Sequence, residues 1–107
     1  KRSVYKSRAG KIINCRSNWE YLVAHYLDEH NAKCGYEVRS FKLENMVYLP
    51  DFFLYGTHRK LLKIVEVKGW FPEDEQIKLA KFKPYLASLG IDFELWDEAK
   101  LKELGIL

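Results

Sequence analysis

Apolar positions at helical spacing open the first clear element: Trp19, Leu22, Val23, Tyr26 and Leu27 recur with a period near 3.6 from Ser17 to about Asn31. Ser17 followed three residues on by Glu20 forms a capping box, and Gly35 lies beyond as a stop. Before this helix, Lys11-Ile12-Ile13-Asn14-Cys15 reads as a short strand or an extended arm. After it the period changes. Tyr36 to Leu43 alternates loosely as a strand, Asn45 marks a turn, and Met46 to Tyr55 forms a second strand-like run broken at Pro50-Asp51. Gly56-Thr57-His58-Arg59 makes a hairpin connection to a third strand, about Leu61 to Lys68, which Gly69 ends. Pro72-Glu73-Asp74-Glu75 is an acid-rich start that suits the dipole of a second helix. Ile77, Ala80, Phe82, Tyr85 and Leu86 supply that helix with apolar positions up to about Ser88, Gly90 caps it, and Pro84 is expected to kink or break it. Ile91 to Trp96 predicts a fourth strand, and Asp97 caps a last short helix ending near Gly105.

The order α-β-β-β-α-β-α predicts an α/β fold. A helix between the third and fourth strands makes them a right-handed parallel pair, so a mixed four-stranded sheet flanked by helices is expected. Two strands break their own pattern. In Ile64-Val65-Glu66-Val67-Lys68, alternation puts Glu66 and Lys68 on one face and the valines on the other. In Tyr48-Leu49-Pro50-Asp51-Phe52, proline removes a ladder donor and aspartate is costly to bury unpaired. The plain reading of Glu66 and Lys68 is an ion pair on a solvated face. An alternative accounts for both anomalies: Asp51 and Glu66, on neighbouring strands, converge on a divalent cation. Hard oxygen ligands suit Mg²⁺, and Lys68 would stand beside it to orient a nucleophile or neutralise charge growing on a phosphate.

With 107 residues, 48% of them hydrophobic, the chain is read as one globular domain. No stretch approaches the length of a membrane span and no signal-peptide apolar segment follows the basic start, so a cytoplasmic location without membrane contact is expected. Cys15 and Cys34 stand apart from one another and from metal-ligand spacing, and His25, His30 and His58 are scattered, so none is assigned a site role. The net charge of +3 is uneven. Residues 1–19 hold Lys1, Arg2, Lys6, Arg8, Lys11 and Arg16 with no acid, which is +6 against −3 for the other 88 residues. This divides the chain into a basic N-terminal arm, 1–16, and a domain, 17–107. The arm suits phosphate backbones, or is simply a solvated end.

Pro50-Asp51 followed by Glu66-Val67-Lys68, with Glu20 on an earlier helix, resembles the PD-(D/E)XK nuclease superfamily, whose restriction-endonuclease-like core has the element order derived above. The Arg16-to-Glu20, Tyr48-to-Phe52 and Val65-to-Gly69 stretches are similar to those of small phage-type and archaeal-type Holliday junction resolvases. The resemblance implies Asp51, Glu66 and the Val67 carbonyl as metal ligands, Lys68 as the catalytic lysine, and Glu20 as the helix acid that completes the site. Glu20 has a competing role as the capping partner of Ser17, and both readings stay open. It further implies Mg²⁺, with Mn²⁺ able to substitute, and no nucleotide cofactor. The substrate would be branched or duplex DNA, in a prokaryotic or phage-infected cell. Arg2, Lys6, Arg8, Lys11 and Arg16 would contact phosphates. Paired nicks across a junction would require a homodimer. Trp70 and Phe71 would line the DNA cleft or a dimer contact, and Lys78, Lys81 and Lys83 would add phosphate contacts or form a solvated helix face. The alternatives are a restriction-like or transposase-associated duplex nuclease, and a non-catalytic DNA-binding module.

Overall fold

In the computed structural model, which describes residues 3–107, the chain starts as a hairpin rather than an arm. Strands β1 (Ser3–Lys6) and β2 (Ile12–Cys15) pair antiparallel, with Tyr5 opposite Ile13. The turn between them closes when the Lys11 amide donates to Ser7 Oγ at 2.9 Å, and Gly10 takes a φ of 87°, which only glycine adopts without strain. Alternate side chains Tyr5, Ile13 and Cys15 enter the core. Buried contacts therefore cross the expected boundary at residue 16. The cations of this segment masked an apolar alternation that needs both strands to be visible.

Helix α1 (Asn18–Glu29) begins at Ser17, whose Oγ accepts from the Glu20 amide at 3.2 Å. Its buried face is Glu20, Val23, Ala24 and Leu27, so an acid occupies a core position one turn before the valine. Tyr5 donates to Asp28 Oδ2 at 2.6 Å and the Arg8 amide to the same oxygen at 3.0 Å, which fastens the hairpin to this helix.

The main sheet has the order β3-β6-β7-β8, from β3 (Cys34–Tyr36), β6 (Phe52–Tyr55), β7 (Leu61–Val67) and β8 (Asp92–Trp96). β3, β6 and β7 are antiparallel neighbours, while β7 and β8 are parallel, so the sheet is mixed as expected. The run from Tyr36 to Leu43 is not one strand. The chain turns out of the sheet at Glu37, with a φ of 48°, and β4 (Phe41–Leu43) pairs with β5 (Met46–Tyr48) in a separate hairpin. Pro50, lacking an amide donor, separates β5 from β6.

Helix α2 (Glu73–Ser88) supplies the crossover between β7 and β8. It covers one face through Leu79, Phe82 and Leu86, packed with Phe53 and Ile64. Helix α1, the β1–β2 hairpin and α3 (Glu98–Glu103) cover the other over Phe52, Val65, Val67 and Trp96. Helix α2 runs through Pro84 unbroken. Pro84 and Ala80, whose carbonyl loses its partner, are both exposed, so water can take the place of the missing amide. Asp97 caps α3 by accepting from the Lys100 amide at 3.0 Å. Among the described residues, no helix is long and apolar enough to cross a membrane.

Candidate active site

Asp51 and Glu66 meet at the end of the sheet where β6 begins and β7 ends. Neither is a solvated surface charge: Asp51 is 0% exposed and Glu66 4%. Pro50 leaves Asp51 just ahead of β6, where its backbone and its side chain reach different partners. The Asp51 amide donates to Glu66 Oε1 at 3.2 Å, its carbonyl accepts from the Glu37 amide at 2.8 Å, and its Oδ2 accepts from the Val67 amide at 2.8 Å. The proline-aspartate break thus locks the two carboxylates to one another through main chain. Tyr48, on β5, donates to Glu66 Oε1 at 2.8 Å and fixes the second acid from the α2 side.

Burial pushes the Asp51 carboxyl up to about 8, with the charges of Glu66 and Glu20 adding to the rise and the Val67 amide and Arg16 opposing it. Burial also raises Glu66, against the Tyr48 hydroxyl and Lys68. Two carboxylates held this way gain from any cation that reaches them. Lys68 Nζ lies 3.6 Å from Glu66 Oε2 and is held by Glu75 from the first turn of α2. Burial alone would lower the Lys68 ammonium, but the Glu75 hydrogen bond and the charges of Glu66, Glu75 and Asp51 raise it, so the lysine stays protonated.

Glu20 joins this group from α1, 6% exposed. Its amide makes half of the capping box with Ser17, but its carboxylate accepts from the Arg16 amide at 3.1 Å and from the Tyr36 hydroxyl, leaving the cap and facing Asp51's side of the cluster. Arg16 sits among the acids. Its Nη2 is 2.5 Å from Asp51 Oδ1 and 3.6 Å from Glu20 Oε2, and its Nε is 2.9 Å from Glu37 Oε2. A residue expected to contact phosphates is thus the internal counter-charge of three carboxylates, though its side chain remains 47% exposed.

The other expected phosphate contacts are dispersed. Arg8 binds Asp28 and Asn31, Lys11 Nζ donates to the Cys34 carbonyl at 3.0 Å, Lys6 is exposed on β1, and Arg2 lies outside the described residues. Trp70 is 81% exposed just beyond β7, whereas Phe71 packs against the α2-side core. Sequence reasoning missed Tyr36, Glu37, Tyr48 and Glu75. Glu75 was visible only as a helix-start acid, and the other three had no local signal.

Among the described residues, no group of three or more His, Cys, Asp or Glu side chains forms a ready-made metal cage. The donor chemistry nonetheless fits a magnesium site of two carboxylates completed by water and substrate phosphate. Asp51 Oδ2 is taken by an amide, so Asp51 Oδ1 and Glu66 Oε2 are the oxygens that would serve. Arg16 would have to release the first of them. A scan against protein-family models found no match to this chain, and searches of curated proteins and of solved structures found none either.

Proposed function

We propose that this protein is a magnesium-dependent endodeoxyribonuclease with a restriction-endonuclease-like core, selective for branched DNA, and that it acts as a homodimeric Holliday junction resolvase. The observation that carries the reading is the buried Asp51–Glu66 pair, tied across neighbouring strands by main-chain amides, with protonated Lys68 just past the end of β7. Asp51 Oδ1, Glu66 Oε2 and the Val67 carbonyl would hold the cation, with Glu20 behind them. Bound there, the cation supplies a more acidic water and neutralises phosphate charge.

The chain's own residues do the rest. Tyr48 and the Asp51 amide fix the Glu66 carboxylate, so its orientation does not have to be found when substrate arrives. Lys68 holds a proton beside the reacting phosphodiester and offsets the negative charge that grows on it. Glu75 aims that ammonium, acting through Lys68 rather than on substrate.

The resident Arg16 favours a second reading, a DNA-binding module without turnover, because a guanidinium on Asp51 Oδ1 already neutralises the acids. One assay separates the two. An immobile four-way junction, linear duplex, single strand and flap are incubated with Mg²⁺ and either the wild type or Lys68→Ala. Paired symmetric nicks on the junction alone, lost in the variant, support the resolvase. Equal cutting of duplex moves the protein to a restriction-like or transposase-associated nuclease. Tight binding without cutting selects the non-catalytic module, and cleavage unchanged in Lys68→Ala removes the site assignment.

A further inference from the structure

A trough outside the acid cluster has no role in the reading above. It follows the open edge of β3, whose other edge pairs with β6. At one end is a hollow of about 740 Å³ lined by Lys11, Lys33, Tyr55, His58 and Arg59, with no acid in its wall. A second hollow, of about 430 Å³, shares Lys11 and Val38 with the first and continues to Tyr36 and Glu37. Those two residues touch Arg16, and Arg16 touches Asp51. The trough therefore starts on a basic turn and ends beside the acid cluster.

Its cations are available. Lys11 spends one of three ammonium donors on the Cys34 carbonyl, and among the described residues Lys11, Lys33 and Arg59 form no ion pair. His58 and Arg59 both have φ 57°, a left-handed conformation that is strained for a non-glycine residue and tends to be kept where it serves a site. The three residues of β3 give this edge a length of about 10 Å.

We infer that this trough is a track for the sugar-phosphate backbone of one nucleic-acid strand, which Lys33, His58 and Arg59 anchor at the end of the trough away from the acids. The inference rests on the nuclease reading and adds the residues that hold the flanking strand. Lys11, Lys33 and Arg59, gathered in a concave wall without an acid, match the repeated negative charge of a phosphate backbone. An acidic peptide, whose charge is not repeated at every unit, is the lesser fit.

The test is fluorescence anisotropy of a labelled four-way junction, with calcium in place of magnesium, across a salt series. Lys33→Glu/Arg59→Glu is compared with the wild type and with the charge-matched Lys100→Glu/Lys102→Glu on α3. The track predicts affinity lower by about tenfold or more, and a slope of log affinity against log salt shallower by about 2, for the first pair only. Lys33→Gln/Arg59→Gln, which removes charge without reversing it, should give a smaller loss in the same direction, and thermal melts of each variant show that it is folded. Equal effects of the two reversals, or an unchanged slope, would overturn the track while leaving the nuclease reading intact. If the first pair shows the predicted slope change while the wild type binds the junction and, given magnesium, never cuts it, the nuclease reading is removed and the track is kept. Wild type that binds no nucleic acid removes both.

Discussion

Asp51 is a fully buried carboxyl whose proton is held up to about 8, whereas an unfolded aspartate releases it near pH 4. Because the folded state keeps a proton that the unfolded state has lost, this group lowers stability progressively as pH rises from about 4 to about 8, and is neutral below that window. Asp51→Asn removes the charge but keeps an acceptor for the Val67 amide, and half-exposed Arg16 can turn away. The variant is therefore expected to melt about 5 °C or more above the wild type at the alkaline end of the window, with the gain fading toward pH 4. Thermal melts in chelator check this, and an offset independent of pH would show that the carboxyl is not the source. Glu75 gives a second prediction at this scale. Glu75→Gln takes away the main partner of Lys68, so cleavage should fall by about tenfold or more with junction affinity unchanged, and the Lys68 contribution to the pH profile should move toward lower pH. A mere packing role would shift the melting temperature and leave the profile in place.

Among elements, the β1–β2 hairpin and α2 carry the sharpest consequences. Tyr5, Ile13 and Cys15 are buried, and at about 1.5–3 kcal/mol for a fully buried large apolar side chain their loss rivals the net stability of a small domain. Deleting residues 1–16 should abolish cooperative unfolding, seen as a featureless melt. A truncated chain that melts sharply would restore the division into arm and domain. Pro84 lies in the last third of a 16-residue helix with no amide for the Ala80 carbonyl. Pro84→Ala should stabilise by about 1–2 kcal/mol, less than the full proline penalty because alanine also frees the unfolded chain. A urea midpoint that rises with an unchanged slope would confirm it.

At the scale of the whole molecule, the proposed activity needs two sites related by a two-fold axis, since one site cannot nick two strands in a single encounter. Sedimentation in the presence of the junction should give two chains per DNA, with nicks paired on opposite strands. One chain per DNA with unpaired nicks would leave a nuclease that is not a resolvase. The single chain also shows how far each level of information reaches. The apolar periods, the Ser17 and Asp97 caps and the Gly56–Arg59 turn are local signals, and so was the placing of Glu66 within a strand and of Asp51 and Lys68 at strand ends beside it, because alternation and an unfavourable proline are properties of a few neighbouring residues. The hairpin of residues 3–15, the split of Tyr36 to Leu43 and the continuity of α2 depended on partners and solvent exposure that no local window contains. Arg16 is the clearest case. Its charge was legible in the sequence, but what that charge faces was decided by α1, the Glu37 turn and the start of β6 arriving at one point. Coulomb attraction acts through space, so the sequence determined which groups could titrate or ligate, and only the tertiary structure decided which of them meet.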